Sequence, residues 1–506
     1  MTSTVSPVGS DPSGHVQGPD PGPHPGPDPK VGRLRRIAEE EYILVVLLAG
    51  FGLIFLLVFP PALIVNDSWL NLMAGREVIE HGLPHHNAIT VYGLGATWTD
   101  QQWLAQVFMY GAHGLGGFAL LSIVTCASVV GAFAIAAAAS RTLGAGPRAI
   151  WLLFLPVLIA AALGWSLRAQ MLTLPLYTGL LWLLASQARA PSRRVWLAFP
   201  VLVLWANMHG SAALGVLLVM LLGAYELLRS RGRSGLRSVA LLVLAPLAIL
   251  VTPYGPVTTA RYYHLLLVDP PFKGQVTEWN WPAPASNTAA FYVLLAMAIP
   301  IVIWGRRRLT GFDLAVLALT LAGALTAIRG IPWFAFACMV FVPVAIGRGL
   351  ESRKPGEPKR GLNTVICIGL SAAIVLAAGS LFFRSDAWFE DYWSIEPVEA
   401  VRANLEPGDR VFVPDRFSDW LLWKIPELRG RIAYDVRFEI YDKAFFTRLA
   451  NYNWEQGTDW KSFADGYRIV VVDETNRSHT ADFLKEPGTR VIYRGDELTV
   501  IARRAS

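Results

Sequence analysis

Long apolar runs constrain this 506-residue chain more than any other feature of its sequence. A helix needs about 20 apolar residues to cross the hydrocarbon core of a bilayer. The chain is 53% hydrophobic and only 16% charged, against roughly 25% charged residues in typical soluble proteins. We therefore predict a mainly α, polytopic helical membrane bundle of about eleven spans. The runs cover about 42–64, 116–140, 149–166, 171–188, 195–208, 210–228, 238–252, 289–304, 312–328, 331–347 and 363–383.

Basic residues lie in short clusters between the apolar runs, so the positive-inside rule gives an orientation. Basic residues precede the first run, which predicts a cytoplasmic N-terminus. An odd number of spans then places every strong basic cluster inside and the C-terminus outside. The run 195–208 is short, so the span count over 195–228 is open. The clusters explain the net charge of +6 without nucleic acid as a partner, and they lie near 30–36, 141–148, 189–194, 229–237, 306–308 and 348–360.

The composition changes at both ends of the apolar region. Residues 1–40 are rich in Pro, Gly and Asp at their start and predict a disordered cytoplasmic tail. No signal peptide is expected, because the first apolar run starts near Tyr42 and is long enough to span. Residues 41–384 form the predicted transmembrane domain. Residues 385–506 predict a small extracytoplasmic α/β domain, with β-rich segments near 410, 431, 468, 490 and 498 and a hairpin turn at 494–497.

The first outer loop, 65–115, has the most unusual composition. Asp67 stands where the first apolar run ends, at the expected membrane–water boundary. Apolar spacing predicts an amphipathic helix over 68–80. The apolar face of that helix consists of Trp69, Leu72, Met73 and Ile79. Asp67 fits the base of a sugar transfer, but it also fits a helix cap, as do Asn66 and Ser68.

Other polar residues on the same side are predicted to bind substrate. The segment 97–114 predicts a second amphipathic or re-entrant helix in the first outer loop, capped by Asp100. We expect Asp100, Gln102 and Trp103 to contact substrate, together with Asn207 from a later outer loop. Tryptophans here suit stacking on sugar faces, although the aromatic belt at the membrane interface explains most of them as well.

Isolated charges at the predicted outer ends of spans complete the candidate site. Arg168 and Arg329 stand alone there, against the positive-inside rule. An ionisable residue at membrane depth is a candidate functional residue, whereas an arginine that only reaches the headgroups is the simpler alternative. We expect Arg168, His209, Glu278 and Arg329 to line one pocket with Asp67 at the outer membrane face.

These residue types suit sugar transfer from a polyprenyl-phosphate-linked donor. The acceptor hydroxyl must lose a proton as it attacks the anomeric carbon, and a nearby carboxylate can take that proton. The leaving group is a lipid phosphate, whose oxygens match the planar fork of arginine. The sequence therefore predicts Asp67 as the general base, with Arg168 or Arg329 holding the donor phosphate.

No metal or cofactor is predicted. Cys126, Cys338 and Cys367 all lie inside apolar runs, and we interpret them as small buried hydrophobic residues without disulfide or metal-ligand spacing. The tail, residues 385–506, is expected to pack over the outer face and shape acceptor access. No catalytic residue is expected in the tail, with Asp435 and Arg437 as the one exception. These two residues form either a reactive pair or a structural ion pair.

Several segments resemble the GT-C superfamily of integral-membrane glycosyltransferases, and more narrowly a group of bacterial GT-C-like membrane proteins. They are NDSWLNLMAGREVIEHGLPHHNAIT, WTDQQWL, RAQ, WANMHG, TPYG, EWNWP, RGIPWF, RFSDWLLW and IAYDVRFEIY. The resemblance covers nearly the whole chain beyond residues 1–40. It implies a multi-pass protein of the bacterial plasma membrane, with the catalytic Asp of the first outer loop at Asp67. The chain departs at Asn71, where the group often has His, and at Gln102, where it often has an acid; each change removes a possible metal ligand or second base.

The predicted function is transfer of a sugar from a polyprenyl-phosphate-linked donor in the lipid bilayer to an extracytoplasmic glycan, lipid or protein acceptor. One alternative is a ligase or polymerase of polyprenyl-linked polysaccharides, in which arginines and a histidine matter more than a carboxylate. Another is a transporter or assembly protein without enzymatic activity. Charges gather at one rim of the predicted bundle rather than inside the spans, which favours chemistry at the outer face over transport.

Overall fold

The computed structural model describes residues 42–230, 235–268, 270–274, 276–350, 360–474 and 479–504. The predicted disordered segment 1–40 lies outside these residues, as do parts of the basic clusters near 229–237 and 348–360. Each predicted apolar run coincides with a helix. The helices of this region are α1 Tyr42–Val58, α2 Asn66–His81, α3 Trp103–Thr142, α4 Pro147–Ala161, α5 Ala169–Arg189, α6 Ala198–Ala206, α7 Ala212–Ser230, α8 Gly235–Ala248, α9 Gly255–Leu267, α10 Ala289–Gly305, α11 Gly311–Thr326, α12 Ile331–Ile346 and α13 Arg360–Leu381.

Within the described residues, seven helical segments are long and apolar enough to cross a membrane. Shorter apolar helices are α1, α8 and α11. The helix α6 has only nine residues and follows a 3-10 turn, Arg193–Leu197, in the region where the sequence left the span count open. The polytopic helical bundle is therefore confirmed, while the count of about eleven spans and the orientation of the termini stay predictions. The seven segments are Trp103–Thr142, Pro147–Gly164, Ala169–Arg189, Ala212–Arg229, Ala289–Arg308, Ile328–Ile346 and Gly361–Leu381.

The helix α12 lies at the centre of the bundle, since every one of its residues is buried. It packs against α3, α4, α10 and α11. The 3-10 turn Ile328–Gly330 leads into it and carries Arg329. A Cβ atom at Gly330 would lie 2.4 Å from the carbonyl oxygen of Gly323, so only glycine lets this turn pack so closely on the end of α11. Gly330 thereby sets the position of the turn that carries Arg329 relative to the end of α11.

The helix α2 packs closely on the first part of α3. A Cβ atom at Gly75 would lie 2.3 Å from the carbonyl oxygen of Gln106, so glycine is needed at this contact. The sequence predicted the helix correctly to within two residues at its start and one at its end. Of the predicted apolar face, Trp69, Leu72 and Met73 are buried, whereas Ile79 is 59% exposed, because the buried stretch of α2 ends at Glu77.

The long helix α3 combines a loop helix and a membrane helix. The backbone leaves helical geometry at Gly116 and Gly117, and Gly117 has a φ of +59°, which glycine adopts readily. The part before this break corresponds to the helix predicted over 97–114, although it begins only at Trp103. The break lets the first part follow α2 while the rest runs through the bundle.

The tail forms a small α/β unit with a four-stranded sheet. Its strands are β1 Val411–Phe412, β2 Ile469–Asp473, β3 Arg490–Arg494 and β4 Leu498–Ala502, and their order is β1-β2-β4-β3. The pair β1–β2 is parallel, and the other two pairs are antiparallel. The predicted hairpin turn joins β3 to β4. The helices of the tail are α14 Asp386–Phe389, α15 Glu396–Asn404, α16 Asp415–Lys424, α17 Lys443–Trp454 and α18 Thr480–Phe483.

The strand predicted near 431 is wrong, because only Ile432 pairs there. It forms isolated parallel bridges with Val411 of the tail and with Thr90 of the first outer loop. Backbone N–H groups of Val91 and Gly430 also donate across this seam, to Ile432 and Ile89 respectively. The first outer loop is thus joined to the tail by main-chain hydrogen bonds.

Side chains strengthen the same junction. Arg429 of the tail forms an ion pair with Glu77 of α2 at 2.5 Å. Arg76 of α2 donates to the backbone oxygens of Leu422 and Trp423. The helix α16 packs along α2. These contacts place the tail over the end of the bundle where the first outer loop begins.

Candidate active site

Asp67 lies in the first turn of α2 but does not cap it. The N-cap residue is Val65, and the side chain of Ser68 accepts a hydrogen bond from its backbone N–H at 3.0 Å. Oδ2 of Asp67 instead lies 3.1 Å from Nε of Arg168. The Asp67 side chain is 35% exposed, so solvent and ligands can reach it. The local role of a cap therefore falls to Ser68, and the carboxylate of Asp67 is directed at another helix.

Arg168 joins two carboxylates at the start of α5. Its extended backbone, with φ −127° and ψ 150°, ends the preceding turn as the N-cap residue of that helix. Nη1 donates to Oε1 of Glu278 at 2.7 Å, while Nε faces Asp67. Burial opposes the charge of Arg168, but the two carboxylates outweigh that effect and raise its pKa. Arg168 is therefore a fixed cation between two anions.

Arg329 lies beside this group without an ion-pair partner of its own among the described residues. Its guanidinium carbon stacks over the ring of Trp279, 4.3 Å from the ring centroid. Trp279 follows Glu278 in the 3-10 turn Thr277–Trp279. Burial opposes the charge of Glu278, yet Arg168 first and Arg329 second hold the pKa of that carboxyl below its ordinary value. The guanidinium of Arg329 is thus held in one orientation, and its charge has no ion-pair partner among the described residues.

His209 lies in the turn between α6 and α7, close to both arginines. Its Nδ1 accepts a hydrogen bond from the backbone N–H of Ser211 at 3.1 Å, and the Ser211 hydroxyl is 2.7 Å away. In a neutral ring the proton then sits on Nε2. Burial, followed by the charges of Arg329 and Arg168, lowers the pKa of His209 to about 3. His209 is therefore a neutral hydrogen-bond donor.

Trp103 and Asn207 contact each other rather than the arginines. Nε1 of Trp103 donates to Oδ1 of Asn207 at 3.0 Å, and Nδ2 of Asn207 donates to the carbonyl oxygens of Val203 and Val251. Both residues line an open, mostly apolar groove of about 640 Å³. Gln102, one residue before α3, has only a backbone contact within the described residues. Among the described residues these three side chains make no hydrogen bond to Asp67 or to the two arginines, and their contact with substrate stays a prediction.

The prediction that Asp100 caps a helix is wrong. The N-cap residue of α3 is Gln102, and the side chain of Asp100 is buried with Oδ2 lacking a hydrogen-bond partner among the described residues. Burial, followed by the nearby carboxyl of Glu439, raises the pKa of Asp100 to about 7. Asp100 is thus a buried acid near the tail.

The tail contributes acidic side chains to the same region. Asp435 and Arg437 form the predicted ion pair, with Nε and Oδ2 2.7 Å apart, and both are fully buried. Sequence reasoning missed Asp415, Asp419 and Glu439, whose carboxyl groups lie close enough to Asp67 to feel its charge. Asp419 carried a detectable signal in the sequence, because it is an acid inside the mostly apolar stretch FSDWLL. The tail thus forms one wall of the region around Asp67.

No group of three or more His, Cys, Asp or Glu side chains converges as metal ligands would within the described residues. Cys126, Cys338 and Cys367 are free and buried, as their positions in apolar runs predicted.

Comparison with known proteins identifies the fold. No protein-family model and no curated protein sequence matches the chain. The crystal structure of ArnT from Cupriavidus metallidurans bound to undecaprenyl phosphate aligns with a TM-score of 0.51 and 13% identity, over 92% of this chain and 98% of the ArnT chain. The apo state of ArnT aligns with a TM-score of 0.49 and 12% identity, over 91% and 97%.

ArnT is a GT-C glycosyltransferase, and the alignment to its lipid-bound structure runs over the bundle and the tail together. At this identity the similarity concerns the fold alone. It agrees with the resemblance found in the sequence, and the predicted fold is confirmed. The chain is an integral membrane protein with a GT-C-like fold.

Proposed function

We propose that this protein transfers a sugar from a polyprenyl-phosphate-linked donor to an extracytoplasmic acceptor, with Asp67 as the general base. The observation that carries the proposal is the ionic chain Asp67–Arg168–Glu278 beside the unpaired Arg329. It lies where the first outer loop meets the tail in a GT-C-like fold. ArnT, which shares this fold, has been crystallised with undecaprenyl phosphate, and we extend that class of lipid to this chain.

Asp67 is placed to take a proton. Oδ2 lies 3.1 Å from Nε of Arg168, an ion pair without a hydrogen bond, so the carboxylate keeps room to accept a proton. In the proposed step the acceptor hydroxyl transfers its proton to Asp67 as its oxygen bonds to the anomeric carbon. The bond from that carbon to the phosphate oxygen breaks, and its electron pair leaves with the polyprenyl phosphate. Attack opposite the leaving group inverts the anomeric configuration.

Arg329 is the better candidate for the donor phosphate. Arg168 already contacts two carboxylates, so a phosphate must compete with both. Arg329 has its charge free, and stacking on Trp279 holds its plane in one orientation. His209 adds a neutral Nε2–H donor near both arginines. Charge-assisted hydrogen bonds to phosphate from such donors stabilise the charge that develops as the lipid leaves. Arg168 then positions Asp67.

One experiment separates the base from a structural carboxylate. Asn keeps the size of Asp, and the cap contact of α2 is made by Ser68, so Asp67→Asn should fold normally and retain the lipid. If Asp67 is the base, the variant should lose about 10²–10⁴-fold in turnover. The measurement compares envelope glycans in a deletion strain complemented with wild type or with Asp67→Asn, at equal protein levels. Wild-type glycans from the variant would remove the general-base role.

The position of His209 keeps the ligase or polymerase as a second candidate. It lies near both arginines and is a neutral donor, an arrangement that suits an enzyme in which arginines and a histidine act and Asp67 only orients Arg168. In that case His209→Ala should abolish the glycan product while Asp67→Asn leaves it nearly intact. Loss of the product from Asp67→Asn supports the transferase, in which His209→Ala also weakens donor binding.

A further inference from the structure

Phe272 lies in an outer loop of the membrane domain but belongs to the hydrophobic core of the tail. The loop joins α9 to α10, and Phe272 is only 5% exposed. It is part of a cluster of apolar side chains whose other buried members, among the described residues, all lie between positions 412 and 501. A buried aromatic ring contributes strongly to such packing. The loop is therefore anchored in the tail at this position.

The ring of Phe272 holds the indole of Trp279 from the side. Their ring centroids lie 5.0 Å apart with the planes at 64°, an edge-to-face arrangement that aromatic pairs prefer. Trp279 also packs against the same cluster of the tail. The backbone is fixed as well, because the N–H of Trp279 donates to the carbonyl oxygen of Val276 at 3.0 Å. The orientation of the indole therefore depends on the tail.

The indole of Trp279 in turn orients Arg329. The guanidinium carbon lies 4.3 Å from the ring centroid. Among the described residues, the side chain of Arg329 forms no hydrogen bond or ion pair that could orient it in another way. The backbone joins the two turns that carry these side chains, since the N–H of Ile328 donates to the carbonyl oxygen of Asn280 at 3.0 Å. Stacking on Trp279 is thus the contact that sets the plane of the guanidinium.

A continuous set of contacts therefore joins the tail to the proposed phosphate site. It runs from the core of the tail through Phe272 and Trp279 to Arg329. An arginine that is oriented before its ligand arrives loses less conformational freedom on binding, which raises affinity. The same 3-10 turn carries Glu278, the partner of Arg168. Both arginines of the candidate site thus depend on this loop.

We propose that Phe272 and Trp279 are positioning residues, which couple the core of the tail to the arginine that binds the donor phosphate. This inference rests on the proposed function, because it takes Arg329 as the residue that binds that phosphate. In this scheme neither aromatic ring contacts the reacting atoms. The tail then contributes to donor binding as well as to acceptor access.

The test measures binding of undecaprenyl phosphate to the full chain in nanodiscs. Phe272→Leu keeps an apolar side chain in the core but removes the ring that meets Trp279. Trp279→Leu removes the stacking face, whereas Trp279→Phe keeps an aromatic face for the guanidinium. Each variant is made in wild type and in Arg329→Gln, so that a double-mutant cycle isolates the part of its effect that acts through Arg329.

Two variants are matched controls. Phe446→Leu makes the same change in the same cluster, where Phe446 is 4% exposed and its ring contacts are with Phe438 and Phe445. Trp281→Leu changes an exposed tryptophan two residues after Trp279. Both controls should bind the lipid as wild type does, even where Phe446→Leu lowers the unfolding temperature.

Trp279→Leu and Phe272→Leu should weaken lipid binding about 3- to 10-fold in wild type, since immobilising a long side chain on binding costs about this much affinity. Trp279→Phe should bind nearly normally. In the Arg329→Gln background all three variants should bind as Arg329→Gln alone does, because the side chain that they position is absent. Unfolding temperatures, measured in parallel, should not follow the lipid affinities.

A loss of affinity that is equal in both backgrounds, or that Phe446→Leu shares, would refute the coupling and leave the loop a purely structural contact. Wild-type affinity in Phe272→Leu would refute it too, whatever Trp279→Leu does. These outcomes leave the proposed function standing as long as Arg329→Gln binds the lipid more weakly than wild type. Wild-type affinity in Arg329→Gln would instead overturn the role of Arg329 in the proposed function, and the coupling with it.

Discussion

Nη1 of Arg168 lies 2.7 Å from Oε1 of Glu278, although 110 residues separate them in the chain. This ion pair joins the start of one membrane helix to a turn in a distant outer loop. It also leaves Arg168 less free than Arg329 to bind an incoming anion.

Arg329→Gln should weaken binding of undecaprenyl phosphate by about 10- to 100-fold, the range expected for lost charge-assisted hydrogen bonds. Folding should not suffer, because no ion pair of Arg329 is broken among the described residues. Binding is measured with the protein in nanodiscs. Arg261→Gln, on the exposed side of α9, is the control and should bind normally. Equal affinity of Arg329→Gln and Arg261→Gln for the lipid would show that Arg329 does not bind the phosphate.

Acidification should destabilise the protein partly through His209. Its pKa is lowered to about 3 in the folded state, whereas an unfolded histidine titrates near 6.5. The unfolded chain therefore binds more protons between about pH 6.5 and pH 3, and stability falls with pH in that window. Wild type should lose about 2 kcal/mol more than His209→Gln between pH 6.5 and pH 5. Parallel unfolding temperatures for the two proteins would contradict a buried neutral histidine.

Asp100→Asn should stabilise the protein more at pH 8 than at pH 4. The folded pKa of Asp100, raised by burial and by Glu439, is about 7, above that of an unfolded aspartate. Wild type therefore binds more protons when folded, and this contribution to stability is lost as pH rises through 7. The gain from Asn should grow by about 1.4 kcal/mol per pH unit between about pH 4 and 7. Unfolding temperatures across this range test it, and a constant gain would contradict the assignment.

Gly75→Ala should destabilise the contact between α2 and α3. The added Cβ would meet the carbonyl oxygen of Gln106 at 2.3 Å, and such overpacking costs about 1–3 kcal/mol. Gly111→Ala, on α3 itself, is the matched control, because no atom lies within 4 Å of its Cβ position. That control should gain about 0.5–1 kcal/mol from better helix propensity. Equal unfolding temperatures would show that the two helices can move apart.

The sequence predicted the bundle well, because each apolar run favours the lipid hydrocarbon over water on its own account. Such a run can therefore be recognised without knowing what it packs against. Every predicted run is a helix, including the short one at α6. Isolated charges at the ends of runs were informative for the same reason, since Asp67 and Arg168 both stand there and contact each other. Their pairing itself requires the three-dimensional path of the chain.

Local rules failed where tertiary contacts replaced them. Asp100 is a residue type that often caps helices and it precedes a helix, yet its carboxyl is buried near Glu439. The segment around Ile432 has the composition of a strand, yet only Ile432 forms β-bridges there, one with Val411 and one with Thr90. Asp419 was not singled out, because only the folded tail shows that this acid of α16 is buried.

The main-chain seam between Ile432 and the first outer loop has a mechanical consequence. The backbone N–H groups of Val91 and Tyr92 donate to the carbonyl oxygens of Ile432 and Ala433, and that of Gly430 donates to Ile89. Main-chain hydrogen bonds therefore hold the tail to the loop that carries Asp67. Lifting the tail as a lid would have to break these main-chain bonds first. In the transferase proposed above, the acceptor would therefore reach Asp67 without the tail moving away from this loop.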